Sequence, residues 1–199
     1  MIRNLEKILQ FLPLGYLYLI ILGILKESLC YNQLGINYLN YSSIIDTLIG
    51  PISDLTSSLG LTIAVITIII LLVCLNFILH KFYDKKIIQK IVYLKDNTLS
   101  EKEIKAHIRN RIYIFVAISL LSFFLGIGWG KGHTIENKIK TGKIEYNRIF
   151  KFNSGESKEV FLIGSNSQYC FYTTKTNKNI KIAPIASIEE IEIIRKTTK

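Results

Sequence analysis

Proline, methionine, tryptophan and alanine are all scarce in this 199-residue chain: three prolines, one methionine, one tryptophan and five alanines. So little proline beside 12 glycines excludes a Pro/Gly-rich disordered or collagen-like chain, and 37 isoleucines exclude disorder through low hydrophobicity. Three cysteines, Cys30, Cys74 and Cys170, are too few and too scattered for a disulfide scaffold. Of the three histidines, His80, His107 and His133, no two fall at metal-ligand spacing, and the cysteine nearest to any of them lies inside an apolar block. Neither Gly-x4-Gly-Lys-Ser/Thr nor Gly-x-Gly-x-x-Gly occurs, so the glycines build no phosphate loop. What the chain has in excess is apolar and basic residues: 49% hydrophobic, with 25 Lys+Arg against 15 Asp+Glu. Twenty lysines, 13 asparagines and 11 tyrosines beside so few alanines fit an AT-rich coding bias.

The apolar residues are piled into blocks. Ile8 to Leu25, Leu61 to Leu79 and Ile112 to Trp129 each run 18 or 19 residues without a charge. A bilayer core needs about 20 largely apolar residues to be crossed as helix. The first block is interrupted by Pro13 and Gly15 and ends Lys26-Glu27-Ser28-Leu29-Cys30, which lacks the small-x-small pattern of a cleaved signal. Three retained spans are therefore expected.

Orientation follows from the basic residues between the blocks. Residues 26–60 carry only Lys26, whereas 81–111 carry nine Lys+Arg. The second connection is thus expected in the cytoplasm with the N-terminus, and the first connection outside the plasma (inner) membrane of a bacterial cell, together with the C-terminal tail. The tail's own 13 Lys+Arg pull the other way, but long segments translocate largely regardless of charge.

The first connection is nearly uncharged. Ser43-x-x-Asp46 forms a capping box before Ile44, Ile45, Leu48, Ile49, Ile52 and Leu55, which recur at helical spacing, with Gly50-Pro51 as a break inside the run. Two readings stand: a short helix at the headgroup boundary, with Tyr31, Tyr38 and Tyr41 as interfacial rings, or a loop folded over the span ends. The second connection reads as a helical hairpin over 80–111, with its turn near 96–100 and a capping box at Ser100 and Glu103. Its basic residues Lys81, Lys85, Lys86, Lys90, Arg109 and Arg111 suit anionic lipid headgroups, at about 1 kcal/mol each. Nucleic acid is disfavoured as a partner, because aromatic and basic residues do not interleave as a base-stacking surface requires. The third block ends Gly126-Ile127-Gly128-Trp129-Gly130-Lys131-Gly132. Gly126/Gly130 and Gly128/Gly132 have the spacing that lets helices approach closely, and Trp129 sits where an interfacial anchor would.

Beyond residue 132 the period changes from helical to alternating. Strands are expected over 144–152, 160–163, 169–173, 180–185 and 191–194, separated by Asn153-Ser154-Gly155, Gly164-Ser165-Asn166-Ser167, Lys175-Thr176-Asn177-Lys178-Asn179 and a helical turn at 186–189. Five short strands with such a turn before the last resemble a small SH3-like or Sm-like β-barrel. The expected fold class is an α+β membrane protein: three transmembrane helices followed by that five-stranded barrel. The expected organisation is a membrane domain over 1–132, a linker over 133–141 and an independently folding β domain over 142–199.

Candidate chemistry is sparse. Glu189, Glu190 and Glu192 read as a solvated strand edge, and no charge within a block marks an ion pathway. Internal repeats and midplane breaks, the signature of secondary transporters, are missing. No catalysis, cofactor or metal is expected, and the sequence assigns no ligand-binding residue. Two functions fit: a membrane-anchored interaction or sensing module acting through the β domain, or a membrane-perturbing effector of bacterial-defence type whose spans self-associate on a signal read by that domain. The expected partners are membrane lipid, a second copy of the chain, and a protein or small ligand at the β domain.

Overall fold

The computed structural model describes residues 2–82 and 101–194. The expected turn near 96–100, the Ser100 cap and the residues Lys85, Lys86 and Lys90 lie outside them. The protein is α+β, with three long apolar helices and a five-stranded antiparallel open sheet. The helices are α1 (Ile2–Asn32), α2 (Ile44–Ser57), α3 (Leu59–Lys81) and α4 (Glu101–Thr141). The strands are β1 (Arg148–Phe152), β2 (Ser157–Ser165), β3 (Tyr169–Thr174), β4 (Asn177–Pro184) and β5 (Ile188–Ile193). Segments long and apolar enough to cross a membrane occupy Leu12–Asn32, Leu59–Leu79 and Lys102–Thr141.

The chain divides into two compact units, Ile52–Phe124 on the one hand and Met1–Pro51 with Leu125–Lys199 on the other. In the first, Ser58 caps α3 by accepting the Leu61 N–H, and Thr67 returns its hydroxyl to the Ile63 carbonyl at 2.8 Å. Ile108 and Ile112 of α4 are buried with Leu79, Phe82, Ile104 and Val116 around them. The rest of α3 shows apolar side chains on every side, among them Ile63, Ile66, Ile70, Val73 and Phe77, and Cys74 is exposed with them.

The second unit carries the sheet. Its order is β4-β3-β2-β1-β5, a meander whose fifth strand returns beside the first. Asn153-Ser154-Gly155 turns β1 into β2 as expected, with Gly155 at φ 84°, a conformation glycine adopts without steric cost. A 3-10 turn at Ile185–Ser187 leads into β5. Phe150, Val160, Cys170, Tyr172 and Ala183 are buried on one face of the sheet, with Phe152, Leu162 and Ile188 against them.

Several expected boundaries shift. α1 runs unbroken through Pro13 to Asn32, and α2 runs through Pro51, which is buried inside it. α4 continues to Thr141, so the stretch 133–141 is helix. β1 starts at Arg148, not residue 144, while β2 starts earlier, at Ser157, because Ser157 pairs with Lys151 across the hairpin.

Candidate functional site

The other face of the sheet is not free. Ile163 and Phe171 are buried together with Cys30, Tyr31, Ile36 and Tyr38 from the end of α1 and the segment after it, and with Ile135 of α4. Covering a Phe and an Ile contributes about 1.5–3 kcal/mol each, more than a neutral net hydrogen bond at about 0.5–1.5 kcal/mol. Apolar burial therefore sets the strength of this junction, and the polar contacts set its register.

A β-bulge builds the docking face. Leu162 pairs with Tyr172, but Gly164 pairs with Phe171, so the register slips at Ile163. Paired residues share a face, so Ile163 and Gly164 both join Phe171 on the docking side. A side chain on Gly164 would collide with the Tyr31 hydroxyl. The Tyr31 ring stacks on Tyr38 at 4.8 Å and leans on Phe171 at 4.7 Å. Tyr41 meets Tyr169 and Phe171 edge-on at 5.5 and 6.1 Å. The tyrosines expected as interfacial rings thus pack ring to ring in a protein core, with Tyr31 only 4% and Tyr38 only 6% exposed. Burial raises the Tyr38 pKa, and the Glu27 and Asp46 charges push it the same way.

The expected capping box at Ser43 and Asp46 forms and does a second job. Asp46 Oδ2 accepts the Ser43 N–H (2.9 Å) and hydroxyl (2.7 Å), and Ser43 Oγ accepts the Asp46 N–H (3.1 Å). The same carboxylate takes the Ser167 N–H on Oδ1 and the Ser167 hydroxyl on Oδ2, each at 3.0 Å. Beside it Asn166 donates to the Tyr41 carbonyl at 2.8 Å. Partial burial raises the Asp46 pKa, but the bonds from Ser43 and Ser167 outweigh it and hold the carboxyl below its ordinary value.

Close helix contacts hold the base of this junction. Just past the end of α1, Gly35 at φ 73° lets the Ile36 N–H return to the Tyr31 carbonyl at 3.0 Å. Gly128 faces the Lys26 backbone and Gly132 the Cys30 backbone, with no room for a Cβ at either. Both numbers rise together, so the two helices run parallel here. Gly23 abuts the Thr47 carbonyl in the same way. Gln33 Nε2 donates to Leu29 O and Trp129 O, both at 3.0 Å. Lys26, 1% exposed, pairs with Glu27 at 2.5 Å. These two charges lie within the apolar helix segment, where the sequence had placed them just beyond the block.

Of the other sequence candidates, Gly126 and Gly130 have open space beside them and Trp129 is exposed. Lys81, Arg109 and Arg111 are exposed. Cys30 and Cys170 are both buried, one in the docking core and one on the opposite face. His133 sits against Asn137 at 2.9 Å, and among the described residues no group of three His, Cys, Asp or Glu gathers. Sequence reasoning missed the second role of Asp46 and the docking face itself. The one available signal was Gly164 followed by polar residues, which reads equally well as a plain turn. Compared with protein-family models, curated proteins and solved structures, the chain matches none of them.

Proposed function

We propose that this chain is a multi-pass membrane protein that acts as a membrane-anchored interaction or sensing module, with the β domain reading a partner and the junction passing its position to the helix ends. The observation that carries this reading is the shared core of Ile163, Phe171, Tyr31, Tyr38 and Ile135, which couples sheet and helices directly. The all-round apolar surface of α3 suits hydrocarbon and would associate in water. Strand order and the 3-10 turn before β5 fit an SH3-like or Sm-like barrel with β4 and β5 at its seam. No step of this function needs catalysis.

The proposed place is the bacterial plasma membrane, with the N-terminus and 81–111 cytoplasmic and the sheet outside. The basic contrast between the connections supports this. So does the packing of the first connection on the sheet, which requires both on one side of a bilayer. A reporter that works only outside the cell should be active when fused after residue 199 and silent at Asn97. The reverse pattern would overturn the orientation.

The effector reading has one observation in its favour: Gly126, Gly130 and Trp129 present an open helix face with room for a second copy. A voltage-dye assay separates the two. The anchored module leaves membrane potential intact at moderate expression. Depolarisation at levels where an unrelated three-span protein is silent would favour the effector.

A further inference from the structure

A cleft of about 410 Å³ opens between the last turns of α1 and the segment after it, lined by Leu25, Ser28, Leu29, Asn32, Ile36, Asn37 and Tyr38. Its size is within the roughly 300–1,000 Å³ of small-molecule sites. Its lining is mixed: Leu25, Leu29 and Ile36 are apolar, and Ser28, Asn32 and Asn37 are polar and uncharged. Leu25 and Leu29 form the lower wall, and Asn32 lies about 10 Å above Leu25 at 1.5 Å per residue. Asn37 and Tyr38 come from the segment that closes the top. None of the lining residues is charged.

The lower wall is continuous with an exposed stripe. Leu14, Leu17, Ile21 and Leu25 recur at three- and four-residue steps on one face of α1, and their exposure falls from 61% through 52% and 44% to 38% toward the cleft. An occupant must therefore be long, apolar along the stripe, and polar but uncharged where it meets Ser28, Asn32 and Asn37.

We propose that the cleft holds one membrane diacyl lipid, with an acyl chain along Leu14, Leu17, Ile21, Leu25 and Leu29, and the glycerol-ester region at the Ser28 hydroxyl and the Asn32 and Asn37 amides. The site recognises ester carbonyls and not headgroup charge. Because Tyr38 also belongs to the docking core, lipid occupancy and sheet docking bear on the same residue. This inference rests on the membrane reading above.

The test is native mass spectrometry of the full chain released from nanodiscs of equal phosphatidylcholine and phosphatidylglycerol. The expected result is one diacyl lipid retained per chain, with headgroup preference under about twofold, a difference of less than about 0.4 kcal/mol. Leu29→Trp, which fills the cleft, and Asn37→Leu, which removes an exposed amide, should each lower retention about tenfold. If Leu29→Trp does not fold, Asn37→Leu with an unchanged melting temperature decides alone. Equal retention in the variants, or strong selection for the anionic lipid, overturns the site. A chain that resists carbonate extraction yet carries no lipid overturns the cleft alone, whereas a carbonate-soluble chain overturns the membrane reading with it.

Discussion

The Tyr31 hydroxyl occupies the space that a side chain on Gly164 would need. The pair joins the last turn of α1 to the bulge of β2, and neither residue tolerates growth in the other. Gly164→Ala should lower stability by about 1–3 kcal/mol, the usual cost of overpacking a filled core. Tyr31→Phe removes the colliding oxygen, so the double variant should recover part of that loss. Melting temperatures of the four proteins in one detergent check the cycle.

Asp46 links pH to the junction, and the sign is fixed by its lowered pKa. A carboxyl held below its ordinary value of 3.8 stabilises the fold wherever it is ionised in both states, and that contribution disappears as pH falls through the folded pKa. Wild type should therefore hold its stability from neutral pH down to about pH 4 and lose it below. Asp46→Asn should melt lower at pH 7, by the ~1–2 kcal/mol typical of a lost cap and paired acceptor, and the two melting curves should converge in acid.

The glycine run should split into two behaviours. Gly128→Leu and Gly132→Leu push a side chain into the α1 backbone and should lower the melting temperature sharply. Gly126→Leu and Gly130→Leu meet open space and should leave it nearly unchanged. A drop in the cross-linked dimer fraction for the latter pair alone would indicate that their face is used between copies.

The fragment 142–199 should not melt cooperatively by itself. Without α1 and α4 it exposes Ile163 and Phe171, with Phe161, Tyr169, Ile180 and Ile182 around them, and a domain of that size has little apolar burial to spare. Circular dichroism and amide dispersion of the fragment, compared with the full chain, provide the check. A well-dispersed spectrum with a sharp melt would contradict this expectation.

Strands and caps were legible where the chemistry is local. Asn153-Ser154-Gly155 announces its turn, and Ser43 with Asp46 announces a helix start, because both depend on neighbours within three residues. The junction was not legible, because its partners are remote. A tyrosine at the end of an apolar block looks alike whether it faces headgroups or Phe171. The spacing of Gly126/Gly130 equals that of Gly128/Gly132, and only the position of α1 decides which pair is used. Asp46 meets Ser167 across 121 residues, a distance no local pattern reports.

The parallel contact of Lys26 with Gly128 and Cys30 with Gly132 restricts how this protein can move. Sliding α1 by one turn along α4 would bring the Phe124 or Glu136 side chain against bare backbone where glycine now leaves room. Gearing of one helix past the other is closed as a route. A signal arriving at the sheet has two motions left: to carry both helix ends as one block, or to lift off Tyr31 and Tyr38 altogether.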